Sequence, residues 1–229
     1  MLVTVLVGAK RAKFTINEEL LTSHSDFFRA ALTGRFKEAE SKSITLKDDD
    51  IRIFKFFVHW LRHQRFPDKH DAEPLYKKWT SSVDGETMTD NLIRLYVLAD
   101  KYQVLELKIK IMTMLFNHVF DGDCDVFPDD LIVQFAYKNL PPNSPLCQFL
   151  VDVYCYWSTC STWSDFADCE WPPAFMTGVL CQYTDFALGD RGRDDFTTPC
   201  DYHGHQSCEE RIVCQVEQQR DEEAGVFDY

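Results

Sequence analysis

Cys200-Asp201-Tyr202-His203-Gly204-His205-Gln206-Ser207-Cys208 is the stretch whose residue types and spacing could do chemistry. Two thiols and two imidazoles in the pattern C-x₂-H-x-H-x₂-C are the nitrogen and sulfur donors that Zn²⁺ takes. Cys200, His203, His205 and Cys208 are therefore a candidate metal set, with zinc as the cofactor. Four ligands in so short a window are tight for one tetrahedron, because the backbone must fold back on itself. Gly204 is the residue that would let it do so. A polar loop with reduced thiols and no cofactor is the other reading of the same residues. His59 and His63, four apart on an expected helix, share one face as a metal-binding pair would. A solvated or locally hydrogen-bonded pair is the expected reading of that spacing.

Other chemistry is missing from the sequence. It contains no nucleophile elbow, phosphate loop or zinc-protease helix. A metal-dependent enzyme built on the Cys/His segment would lack a general base, so the chain is not expected to be an enzyme. All nine Cys lie in the second half, and nine is an odd number. The opening MLVTVLVG is too short for a bilayer and is followed by Lys10, Arg11 and Lys13. It has no basic region before it and no small-residue cleavage site after it. Reduced thiols in the cytoplasm or nucleus are expected.

Charge narrows the partners. The formal net charge is −13. It is uneven: residues 1–70 carry 13 Lys+Arg against 9 Asp+Glu, and residues 71–229 carry 11 against 28. A phosphate backbone would be repelled by the whole chain, so nucleic acid is excluded as a partner, as is a membrane. Hydrophobic residues make up 45% and Phe alone 18, enough to fill a core. Proteins remain as the partner class.

The elements that must position these residues follow from periodicity. Leu2 to Val7 is a β-branched run expected to be a strand buried on both faces, and Ala12 to Ile16 its hairpin partner. Asn17 is expected to cap one helix, with Leu20 and Leu21 inward. Ser25 begins a second that presents Phe27, Phe28, Ala31 and Leu32 and ends at Gly34. Ile44 and Leu46 alternate in a third strand. Asp48 to Asp50 then lead into a helix with Ile53, Phe54, Phe57, Val58 and Leu61 on one face. Residues 66–90 read as a loop with a short helical piece near Tyr76. Asp90 is expected to cap a helix carrying Leu92, Leu95, Tyr96, Ala99 and Tyr102, and Leu107 to Val119 a further one. Gly122 to Asp130 breaks the pattern. Helices then recur over 131–137, 146–156 and 172–188; from Gly189 the chain turns charged, and its end, EQQRDEEAGVFDY, is expected to fray or form a short exposed helix.

Read together, these residues resemble the BTB/POZ domain, of the kind found in many short fungal proteins. Phe14-Thr15-Ile16-Asn17-Glu18-Glu19-Leu20-Leu21 is similar to the family's opening F-x-V-H-K-x-L-L stretch. Ser25-Asp26-Phe27-Phe28 resembles its Ser-x-Phe-Phe helix, and Phe36-Lys37-Glu38 with Ile44-Thr45-Leu46 its Phe-x-Glu segment and Ile-x-Leu strand. Asp48 to Leu61 and Leu98-Ala99-Asp100-Lys101-Tyr102-Gln103-Val104 complete five pieces in order over about half the chain. Two positions depart: Asn17 stands at the usual His, and Leu2 at the usual Asp. The strand and helix that many members exchange in dimers would precede Met1, so either a homodimer uses another surface or the start is truncated.

The resemblance implies an α+β fold, a small mixed sheet flanked by a helical cluster over residues 1–119. A small all-α extension over 120–188 and an acidic tail over 189–229 would follow. It implies a protein–protein interaction module, an adaptor or scaffold that acts by homo- or hetero-oligomerisation. In adaptors of this family for cullin-based ubiquitin ligases, a hydrophobic-x-acid pattern helps seat the cullin, which places Phe36 and Glu38 at a protein interface. The alternatives are a self-associating scaffold or a transcription-linked member with no ligase role. For these two residues, the alternative is Phe36 packed in the core with Glu38 solvated.

Overall fold

Leu2–Val7 (β1), Ala12–Asn17 (β2) and Ser43–Leu46 (β3) form one sheet in the order β2-β1-β3. A computed structural model describes residues 1–80, 87–120, 128–158, 163–164, 166–189, 198–205 and 207–223, the side chains of 216–223 excepted. The described chain falls into two compact units. One is Met1–Ile111 with Asp125–Leu140, the other Met112–Cys124 with Pro141–Tyr229. The architecture is α+β and mostly helical.

In the first unit β1 and β2 pair antiparallel, with Val3 opposite Ile16 and Val5 opposite Phe14. The tight turn between them needs Gly8. Its φ is +72°, and a Cβ there would lie 3.2 Å from the Asp49 carbonyl oxygen. β3 pairs parallel to β1, Val5 opposite Ile44. A parallel neighbour needs a crossover, and three short helices supply it: Glu18–His24 (α1), Asp26–Thr33 (α2) and Lys37–Ser41 (α3). Asn17 and Ser25 cap α1 and α2 as expected, accepting from the Glu19 and Phe28 amides.

Ile51–His63 (α4) begins at Asp50, whose carboxylate accepts from the Arg52 and Ile53 amides. Phe54, Phe56, Phe57, Val58, Trp60 and Leu61 are all buried, so α4 is the unit's central helix. Phe54 meets Phe14 of the sheet edge-on at 4.9 Å, and Phe28 of α2 stacks on Tyr102 at 5.1 Å. Glu73–Thr80 (α5) is the helical piece near Tyr76. Its Trp79 stacks on Phe66 and meets Phe56 edge-on. Met88–Lys101 (α6), Leu105–Phe120 (α7) and Asp130–Asn139 (α8) follow.

Four expectations change. β1 is not buried on both faces: Val3, Val5 and Val7 are buried, Thr4 and Leu6 only partly, and Leu2 is exposed. A sheet holding an antiparallel hairpin can leave one face partly to water. Phe27, expected on the apolar face of α2, is half-exposed and leans edge-on against Tyr102. The N-cap of α6 is Thr87, not Asp90; Asp90 sits at the third helical position and returns a bond to the Thr87 amide. His59 is not solvated. It is buried, its ring 4.6 Å from that of His63 and its Nε2 3.5 Å from the Asp71 carboxylate. Of the pattern break at 122–130, residues 122–127 lie outside the described residues.

Asp71 pins the segment after α4. Its carboxylate accepts from both Arg65 guanidinium nitrogens at 2.6 and 3.0 Å, and from the Asp68 amide at 2.9 Å. The Arg65 bond holds its pKa down at about 2. Stability from this group is fully present above the ordinary carboxylate value of about 4 and is lost as pH falls through about 2. Asp71→Asn is expected to cost about 1 kcal/mol at pH 7, allowing for solvent screening of Arg65. The cost should fall to roughly half near pH 3, read by urea unfolding at the two pH values.

Candidate functional site

The second unit is built around Pro145–Trp157 (α9), capped by Ser144 and buried along most of its length. Pro173–Leu188 (α10) packs on it, and Gly178 allows the approach, since a Cβ there would stand 2.9 Å from Val151. A short 3₁₀ turn, Pro199–Tyr202, and a last helix, Cys208–Glu223 (α11), complete the unit.

The 3₁₀ turn is anchored by Tyr202. Its hydroxyl donates to the buried Asp152 carboxylate of α9 at 2.7 Å, and its ring meets Phe149 edge-on at 5.1 Å. The Thr198 amide donates to the Asp201 carboxylate at 3.2 Å and the Asp201 amide to the Thr198 carbonyl at 3.1 Å, bracketing the turn. This anchoring buries the residues on either side of Tyr202: Cys200 is 3% exposed and His203 5%. Gly204, at φ +71°, then reverses the chain and returns His205 to the same place.

Of the four ligands read from the sequence, three converge: Cys200, His203 and His205. Cys208 does not join them; it is exposed, in the first turn of α11. The fourth donor is Cys214, six residues further along α11, which turns it about 120° round the helix from Cys208. One ligand atom from each of Cys200, His203, His205 and Cys214 lies within 4.8 Å of all the others. His203 Nδ1 is 3.2 Å from Cys214 Sγ, and its Nε2 is 3.0 Å from Oγ1 of the buried Thr113 in α7. The Nε2 of His205 is buried with no hydrogen-bond partner among the described residues. Burial first, and His205 second, push the His203 pKa down to about 4, so its imidazole is neutral at pH 7. Burial raises the Cys200 thiol, an effect Cys214 partly offsets. None of the described cysteines is in a disulfide. Cys214 carried a sequence signal only as one of nine reduced thiols, and Thr113 carried none.

Phe36 and Glu38 sit at the junction of α2 and α3. Phe36 is the residue before α3 and is 59% exposed; Glu38, in its first turn, is half-buried. The Phe36 ring lies over Gly34, whose missing side chain leaves it room: a Cβ there would stand 3.1 Å from the ring. Phe36 therefore rests on the α2 terminus with much of its face in solvent, not in the core.

No described helix is long and apolar enough to cross a membrane. A comparison with curated proteins returned no match. The family model described as BTB/POZ domain matches residues 2–118, a span that holds the three-stranded sheet, α1 to α6 and nearly all of α7. This chain therefore belongs to the BTB/POZ family, whose domain is generally a protein–protein interaction module and not typically catalytic.

Proposed function

We propose that the chain is an adaptor that seats a cullin scaffold through Phe36 and Glu38, holding other proteins for ubiquitin transfer. The exposed Phe36 carries the reading. An aromatic side chain left 59% in solvent beside a carboxylate, on a unit that buries Phe28, Phe54, Phe56 and Phe57, has the form of an interface anchor. Glu38 adds a charged acceptor two residues away, which favours one orientation of the partner. Intracellular placement, in cytoplasm or nucleus, belongs to the same proposal.

The test is direct binding of the purified chain to the N-terminal region of a cullin. Wild type is expected to bind. Phe36→Ala should lose about 2 kcal/mol, roughly 30-fold in affinity, with unchanged thermal stability because the ring is largely exposed. No wild-type binding, or binding indifferent to Phe36→Ala and Glu38→Ala, would leave the self-associating scaffold as the better reading. Light scattering at micromolar concentration would then show a homodimer or larger species.

A further inference from the structure

We propose that Cys200, His203, His205 and Cys214 bind one Zn²⁺ that fastens α11 to the second unit, with Thr113 orienting His203. Geometry supplies the first argument. Zn–N bonds of about 2.0 Å and Zn–S bonds of about 2.3 Å at tetrahedral angles place ligand atoms roughly 3.3–3.8 Å apart. The four donors already lie within 4.8 Å of one another. Closing on a metal asks for movements of about 1 Å or less, within the freedom of side-chain rotation.

The polar bookkeeping of the site supplies the second. His205 Nε2 is buried without a hydrogen-bond partner among the described residues, a cost of about 1–3 kcal/mol that a ligand bond would remove. With the His203 Nδ1 bound to the metal, its Nε2 would carry the proton and donate to Thr113 Oγ1, 3.0 Å away. A ring held from behind in this way is the usual support of a metal-bound imidazole. Binding releases one proton from each of the two thiols, and an imidazole ligates as a neutral donor. Two thiolates then cancel the charge of the cation, so the buried centre as a whole is uncharged and its desolvation is tolerable. All four positions are filled by protein, which makes the site structural and leaves no place for a reacting water.

The third argument is the exposure of the described part of α11. Ile212 and Val213 are 59% and 56% exposed, and none of its described side chains is buried. The Arg211–Asp201 ion pair at 2.6 Å links it to the 3₁₀ turn, half-exposed and worth little by itself. The described side chains of α11, residues 208–215, gain little from burial. A bond from Cys214 to a metal shared with Cys200 and His203 would hold it.

The deciding measurement is zinc content of the full chain, purified without chelator and with any affinity tag removed. One zinc per chain is expected. Cys214→Ser should lose most of it, whereas Cys208→Ser should retain it in full. Thr113→Val should still bind but give up its zinc to a chromophoric chelator about 10-fold more readily. Because Cys214→Ser could fail to fold, wild type is also loaded with Co²⁺ alone. Tetrahedral visible bands with thiolate-to-cobalt charge transfer support the site. Absence of zinc and of these bands in wild type overturns it, as does equal loss from Cys208→Ser. An intact mass two hydrogens lighter, from a Cys200–Cys214 disulfide, also overturns it.

Discussion

Phe57→Ala is expected to remove about 3–5 kcal/mol of stability, which would leave the first unit near its folding threshold. Phe57 is fully buried in α4, stacked near Phe28 of α2 at 6.3 Å and set edge-on to Phe54 at 5.5 Å. These rings tie the crossover helices to the central helix, and Phe54 continues the contact to Phe14 of the sheet. Removing one ring leaves a cavity that its neighbours, aromatic and stiff, fill poorly. Phe57→Leu keeps most of the volume and should cost roughly 1–1.5 kcal/mol. Urea unfolding followed by tryptophan fluorescence reports both, since Trp60 is buried in the same helix. A loss under about 1 kcal/mol for the Ala variant would contradict the packing described.

Phe175→Ala is expected to be equally costly, about 3–5 kcal/mol, and to act on the second unit. Phe175 is fully buried in α10; it stacks on Trp171 at 5.2 Å and meets Tyr154 of α9 edge-on at 5.2 Å. Tyr154 in turn touches Trp163 and Trp171, so the ring belongs to a cluster of aromatics. One turn further along, Gly178 already brings α10 against Val151 as closely as a helix can come. The helices therefore have little room to close over the hole, and the loss should fall in the upper part of the range. The readout is amide exchange in α9 and α10, whose protection should fall together. Exchange unchanged in α9 would show that the ring does not hold these two helices together.

Much of the first unit was legible in its residues. The alternation of Ile44 and Leu46, the Asn17 and Ser25 caps and the helical spacing from Ile53 to Leu61 are local signals, set by backbone geometry within a few residues. The errors came where a local signal had two readings. Asp90 is as good a cap as Thr87 by residue type, and only the register of α6 assigns Thr87 the cap and Asp90 the third position. A β-branched run such as Leu2 to Val7 fits a strand covered on one face or on both.

The candidate sites divide in the same way. Residue types alone determined that Cys200, His203 and His205 could meet, because Gly204 lets a short chain turn on itself and all three lie within its reach. They also determined a hydrophobic-x-acid pair at Phe36 and Glu38. The tertiary structure decided which thiol completes the group. Cys208 is nearer along the chain, but α11 points it at solvent and brings Cys214 to His203 instead. It decided that Thr113, ninety residues before His203, stands behind the imidazole. It also decided that Phe36 rests on Gly34 and faces water. Spacing records how far a chain can reach. Which side chains converge depends on how one helix docks on another, and that is set by burial summed over the whole unit.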